Sequence, residues 1–187
     1  MIIGAVPRSW PGPDRHYKPG SRADTGIKIV IYTYVDTPIG AILVAGDGEA
    51  IVEIRFAGAT PRPEWIRDDA SLAEAATQLR AYFAGELQKF ELSLAPHGTD
   101  FQQSVWRALC DIPYGETTTY SSIASSIARP SAIRAVGAAN GANPIPIVIP
   151  CHRVIGSNGS MTGFGGGIEV KRQLLALEAR AAGRTLF

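Results

Sequence analysis

Residues 120–154 read YSSIASSIARPSAIRAVGAANGANPIPIVIPCHRV. Two short blocks with helical apolar spacing, Tyr120 to Arg129 and Ala132 to Gly141, are split by Pro130-Ser131. Ile123 and Ile127 pair at i, i+4 on the first block, and Ile133 and Val136 at i, i+3 on the second, so each is expected to turn an apolar face to a core. Proline neither continues a helix nor tolerates a helical residue before it. The shape is that of a helix-turn-helix, which any two packed helices also produce. A purely apolar run, Ile145 to Ile149, follows and leads into Pro150-Cys151-His152-Arg153-Val154.

That cysteine has two readings. A free cysteine usually behaves as a small buried hydrophobe. Here, though, the next two side chains can carry positive charge, and cations nearby lower a thiol pKa and favour the nucleophilic thiolate. A proline just before it stiffens the backbone, which suits an aimed side chain.

Upstream, the Pro- and Gly-rich residues 1–26 read as a loosely docked tail. Ile27 to Val35, Gly40 to Ala45 and Ala50 to Phe56 are Ile- and Val-rich, with Asp36-Thr37-Pro38 and Gly46-Asp47-Gly48 as turns, which predicts a small antiparallel meander. Ser71 to Phe83 reads as an amphipathic helix closing at Gly85, Lys89 to Leu94 as a short strand, and Pro96 to Thr99 as a linker. Phe101, Val105, Ala108 and Ile112 keep helical spacing, and Cys110 on that helix is expected to be structural. The fold class is therefore α+β, with a tail at 1–26, an N-terminal α/β domain at 27–95 and a helical C-terminal domain at 96–187.

On the second helix of the pair, Arg134, Gly137, Ala138 and Gly141 fall at i, i+3, i+4, i+7, away from Ile133. Glycine inside a helix costs about 1 kcal/mol against alanine, so the stripe serves a close approach, either of another helix or of a DNA groove that Arg134 enters. Asn143-Pro144 is an ordinary turn or a side-chain bridge between two backbone segments. Glu178 lies four and three residues after Leu174 and Leu175, on their face. It either reaches solvent at the edge of that stripe or is paired, since an unpaired carboxylate there is costly; His152 is the candidate partner. Cys, His and Glu together would pass a thiol proton to an oriented imidazole. The glycine-rich residues 156–167 form a flexible loop or the wall of a pocket, without the lysine of a phosphate-binding loop.

Other classes are disfavoured. Net charge is +1, with 10 Lys/Arg against 12 Asp/Glu in residues 1–99 and 8 against 5 in 100–187, too mild an asymmetry to indicate nucleic acid by itself. His16, His97 and His152 are scattered, so no metal site is expected. No run approaches the ~18 apolar residues of a membrane span, the start lacks signal-peptide features, and two cysteines suit the reducing cytoplasm.

Pro150-Cys151-His152-Arg153-Val154, Asn143-Pro144, Gly163-Phe164-Gly165-Gly166-Gly167 and the Lys171, Leu174, Leu175, Glu178 helix together resemble the O6-alkylguanine-DNA alkyltransferases. The resemblance is strong from Phe101 to Glu178, weaker through Thr37-Pro38-Ile39-Gly40, and fails before about residue 27. It implies a ribonuclease H-like N-terminal domain before the helix-turn-helix domain. It also implies irreversible transfer of an alkyl group, methyl above all, from guanine O6 to Cys151 after base flipping. In that account His152 is the base, through a bound water, and Glu178 orients it. Asn143 is a hinge to the active-site strand, Arg134 replaces the extruded base, and Tyr120 pushes the phosphate, bonds the purine and suits proton donation. Ser131, Gly137 and Ala138 lie along the DNA. The carbonyls of Cys151 and Val154 take the guanine amino group, the N–H of Gly165 reaches O6, and Pro146 and Phe164 line the pocket. The implied partner is double-stranded DNA containing O6-alkylguanine, met by a monomer, with cooperative loading left open and no cofactor.

Phe164 stands where many relatives carry tyrosine and Gly165 where some carry serine, which implies a roomier pocket; the zinc ligands of some relatives are missing. The rival readings are a non-catalytic damage sensor or helix-turn-helix regulator in which Cys151 only packs, and a Cys-His hydrolase.

Overall fold

The computed structural model describes residues 29–183; the expected tail at 1–26 and the start of the first strand at Ile27 lie outside them. Three β-rich runs form β1 (Ile31–Val35), β2 (Ile42–Gly46) and β3 (Ile51–Arg55), an antiparallel meander. Gly40, at φ 96°, makes the first turn in a conformation other residues rarely adopt. A two-residue β4 (Ile66–Arg67), not foreseen, runs parallel beside β1, so the sheet order is β3-β2-β1-β4. The strand expected at Lys89 to Leu94 shrinks to one bridge, with Ile51 N–H donating to Ser93 O and Ala95 N–H to Ile51 O. Pro96 follows with no N–H to extend it.

Helix α1 (Ala73–Ala84) ends at Gly85 in the left-handed conformation, as its pattern predicts. It lays Leu79 and Tyr82 into a core that is continuous with the C-terminal half through Val105, Trp106, Leu109 and Leu174. Thr99, expected in a linker, caps α2 (Asp100–Cys110): its Oγ1 accepts from Gln102 N–H at 3.3 Å while Gln102 Oε1 accepts from Thr99 N–H at 2.9 Å.

Then come β5 (Thr118–Thr119), α3 (Tyr120–Ser126) and α4 (Ile133–Gly141). The first helix of the pair stops at Ser126, short of Arg129, because Ala128 turns left-handed at φ 56° ahead of Pro130. On α4 the core face is Val136, Ala139 and Asn140. Ile133, expected in the core beside Val136, is 43 % exposed. Its neighbours at i+4 and i+8 are Gly137 and Gly141, and all three border a groove, so Ile133 shares the glycine face that spacing had set apart from it. The α2–α4 contact falls elsewhere, with Trp106 Nε1 donating to Ala139 O at 2.8 Å.

The apolar run 145–149 is buried but is a turn rather than a strand, closed by a Pro146–Ile149 bridge. Ile147 sits at φ 76°, a costly conformation for a β-branched side chain. A 3₁₀ turn (Cys151–Arg153) leads into β6 (Val154–Ile155), which pairs with β5, and α5 (Ile168–Ala181) closes the described chain.

Thr99→Ala removes one half of the α2 capping box and is expected to lower unfolding stability by about 1 kcal/mol. Urea denaturation at neutral pH measures it; an unchanged midpoint would show that the cap contributes nothing.

Candidate active site

Helix α5 carries Glu178 into the interior on the side of Leu174 and Leu175, where its carboxylate is fully buried. Of the two readings of this residue, pairing holds. Oε1 accepts from His152 Nε2 at 2.8 Å, Tyr82 Oη at 2.8 Å and Arg153 Nη2 at 2.9 Å; Oε2 accepts from Arg153 Nε at 2.9 Å and the Gly115 N–H at 3.1 Å. Burial alone would raise the pKa of Glu178. The bonds from His152 and Arg153 outweigh it and hold the group down at about 2.

The 3₁₀ turn points Cys151, His152 and Arg153 inward together. With Nε2 against the carboxylate, His152 leaves Nδ1 without a protein partner among the described residues. A donor hydrogen on Nε2 places the lone pair on Nδ1, so the carboxylate selects the tautomer that can accept a proton there. Burial lowers the His152 pKa against the opposing pull of Glu178, which keeps the ring a neutral base.

The thiol departs from the sequence expectation. Cys151 is pushed up to about 11, because burial outweighs the help of Asn143 and Lys171. Its cationic neighbours do not make a resting thiolate: His152 is neutral, and Arg153 is turned onto Glu178 and the Ile112 carbonyl, 2.7 Å away. Cys110, half-buried at the end of α2, is pushed to about 12 by burial and is a free thiol, in keeping with a structural role.

Asn143 bridges two segments as the second of its readings holds: Nδ2 donates to Ile149 O at 2.8 Å and Oδ1 accepts from Ile145 N–H at 3.0 Å. These bonds span the turn that contains Ile147. Cys151 opens into a cavity bordered by Asn143, Pro146, Phe164, Gly165, Asn140 and Phe56. A wider groove continues from it past Tyr120, Gly137 and Thr162. Tyr120 Oη lies 3.4 Å from Thr162 O. The glycine-rich residues thus form a wall, held by Lys171, whose Nζ donates to Val154 O at 2.6 Å and Thr162 O at 3.1 Å. Val154 is buried, its carbonyl engaged by Lys171, and it is not among the residues bordering the cavity.

Arg134, Ala138 and Ser131 are exposed on α4 and the turn before it. A Cβ added at Gly137 would meet only the Tyr120 ring, at 3.9 Å, and one at Gly141 would meet nothing within 4 Å. Among the described residues no neighbouring helix packs so closely that these glycines are needed.

Sequence reading missed Tyr82, Gly115, Asn140 and Phe56. Phe56 follows β3, stacks on Phe164 at 5.2 Å and leaves no room for a side chain at Gly166. A buried tyrosine hydroxyl needs a partner, and that was the available signal for Tyr82; Phe56 gave none. Among the described residues no His, Cys, Asp and Glu cluster suits a metal ion, and no helix is long and apolar enough to cross a membrane.

Comparison with known proteins places this geometry. Residues 30–96 match the model of the 6-O-methylguanine DNA methyltransferase ribonuclease-like domain, and residues 100–180 that of the DNA-binding domain of the same proteins. The chain is 54 % identical over 151 residues to a methylated-DNA–protein-cysteine methyltransferase of Methanosarcina barkeri, covering 79 % of this chain and 96 % of that one. It is 51 % identical over 164 residues to the Mycobacterium tuberculosis protein of that name, covering 85 % and 99 %. A crystal structure of the M. tuberculosis protein in complex with DNA superposes with a TM-score of 0.78 at 52 % identity, over 81 % of this chain and 94 % of that one.

Acid sensitivity follows from the buried pair. The pKa of His152 is lower folded than its unfolded 6.5, so the unfolded chain takes up that proton first and stability falls as pH drops through that value. Glu178 contributes fully above its unfolded 4.5 and loses its contribution as pH falls from there to about 2. Urea midpoints between pH 8 and pH 3 are expected to fall in these two windows. Glu178→Gln should remove the lower step and, by leaving the Arg153 charge buried without a counter-ion, cost about 3–5 kcal/mol. A lower step that persists in this variant would assign it to another group.

Proposed function

The chain belongs to the 6-O-methylguanine DNA methyltransferase family and carries out direct-reversal repair of O6-alkylguanine in DNA, and from that premise we propose which residues do the work. Cys151 is the acceptor, His152 its base, and Glu178 the group that fixes the imidazole. The observation that carries this reading is a buried thiol followed directly in the chain by a buried histidine whose Nε2 is taken by Glu178 and whose Nδ1 has no protein partner among the described residues. The thiol proton passes to Nδ1, directly or through one water, as the sulfur attacks the alkyl carbon. The C–S bond forms, the bond to O6 breaks, and the purine leaves with a proton supplied at Tyr120. Because the thiolate is generated only during attack, a thiol pKa of about 11 is compatible with transfer.

A base inside the stack cannot present O6 to so buried a sulfur, so it must be extruded, at a cost of a few kcal/mol. The exposed face of α4 suits the duplex: Gly137 and Ala138 let the backbone approach, Ser131 sits at the turn, and Arg134 fills the gap the base leaves. Pro146, Phe164 and the N–H of Gly165 receive the flipped guanine beside Asn143. Phe164 backed by Phe56 closes one side, so its lack of a hydroxyl costs a polar contact rather than the wall. Val154 supports the pocket from behind through Lys171. In this reading residues 96–187 hold the chemistry and the DNA contacts, residues 27–95 buttress them, and the protein acts as a cytoplasmic monomer, in keeping with its two free thiols.

Incubation with DNA carrying a radiolabelled O6-methylguanine is expected to place one label per chain on Cys151. Cys151→Ala should transfer nothing while retaining DNA affinity; turnover beyond one label, or equal loss of binding, would count against the assignment. Arg134→Ala is expected to slow repair of duplex DNA about tenfold or more, since each 1.4 kcal/mol of lost support for the extruded state is a factor of ten. Its reaction with free O6-benzylguanine should be nearly unchanged, and equal losses in both assays would remove the flipping role.

A further inference from the structure

The hydroxyl of Tyr82 touches the carboxylate at the centre of the site. Tyr82 is fully buried on α1, its ring boxed by Phe83 and Phe90 at 5.3 Å and Tyr114 at 6.1 Å. Its Oη donates at 2.8 Å to Glu178 Oε1, the same oxygen that His152 Nε2 reaches at 2.8 Å. Among the described residues, the other four bonds to that carboxylate come from Gly115, His152 and Arg153, all beyond residue 96, and Tyr82 alone comes from the N-terminal domain.

We propose that Tyr82 is a positioning residue for alkyl transfer: its hydroxyl holds Glu178 Oε1 against His152 and keeps that oxygen a weak base, so the Nε2 proton stays on the imidazole while Nδ1 takes the proton leaving Cys151. The proposal rests on the Cys151–His152–Glu178 assignment made above. An oxygen that accepts several hydrogen bonds disperses its charge and competes less for a further proton. Without the Tyr82 donor, the coupled His152–Glu178 pair takes up its first proton at higher pH, and less of the protein holds a neutral imidazole able to receive the thiol proton. The hydroxyl remains a donor throughout, because burial and the facing Glu178 push its own pKa well above the ordinary value. Among the described residues, the charged and titratable groups facing this oxygen are His152, Arg153 and Tyr82, with Tyr114 against the Tyr82 ring and under the Arg153 guanidinium, and Lys171 acts on His152 through its charge. The N-terminal domain thereby acts on the buried charge through Tyr82, apart from the place Phe56 takes at the border of the cavity.

The test is the pH dependence of reaction with free O6-benzylguanine, which leaves base flipping out of the measurement. In the parent protein the rate should fall on the acid side, and His152→Asn should abolish that limb. Tyr82→Phe, which keeps the ring and deletes the hydroxyl, is expected to move the limb up by about half a unit or more, the scale of one lost hydrogen bond. Affinity for duplex DNA should stay within about twofold, since that surface lies on α4. 3-Fluorotyrosine placed at position 82 makes a stronger donor and should move the limb down, an opposite sign that packing damage cannot mimic. Phe90→Leu, which alters only a ring contact, should leave it in place.

A limb that does not move in Tyr82→Phe overturns the proposal and leaves the relay intact. Should that variant fail to fold, an unmoved or upward-moving limb with 3-fluorotyrosine does the same. A parent profile with no limb dependent on His152 overturns the relay assignment and this inference with it.

Discussion

A fully buried carboxylate organises this molecule. Stranded in an apolar interior, Glu178 would be among the most costly groups a fold can contain, and five hydrogen bonds make it tolerable. The donors belong to α1, to the loop before β5 and to the 3₁₀ turn, so satisfying one charge fixes three segments against α5. Arg153 extends the connection to the Ile112 carbonyl at the end of α2. The contacts of the buried carboxylate thus also form part of the seam between the halves of the chain, beside the shared apolar core.

Around this fixed centre the molecule is built in contrasting grades of freedom. The wall behind the thiol is tied at every point: Asn143 spans the turn, Lys171 ties the glycine-rich loop to Val154, and Phe56 braces Phe164. Ile147 holds an unfavourable backbone angle within that tied turn. Outward, α4 presents small residues and an exposed arginine with no neighbour pressed against them. On the proposed assignment, rigidity lies where a reacting carbon must be placed within an ångström, and open surface lies where the duplex would be met.

Much of this was legible in the sequence where a single period or motif carries the signal. The meander follows from Ile- and Val-rich runs divided by turn residues, and Glu178 on a leucine face left two readings, solvent or a buried partner, of which the second holds. Elements with too little pattern stayed hidden: β4 has two residues, and the 145–149 run has the composition of a strand while Pro146 and Asn143 favour a turn. Ile133 was misplaced because an i, i+3 pair on a nine-residue helix fits two faces equally well. The cationic dipeptide after Cys151 misled for another reason. Adjacency in sequence does not give direction in space, and Arg153 points away from the sulfur to Glu178. Tyr82 and Phe56 look like ordinary core residues until a partner far along the chain is known.

The protonated thiol has a consequence for the life of the molecule before it meets its lesion. Peroxides and stray electrophiles attack thiolates, and their rate follows the thiolate fraction and its exposure. Cys151, buried and held near a pKa of about 11, offers almost none of either. A protein that can act a single time cannot tolerate a nucleophile that is always ready. With Cys151 as the proposed acceptor, withholding the anion until a guanine is seated gives the reagent a long shelf life among oxidants.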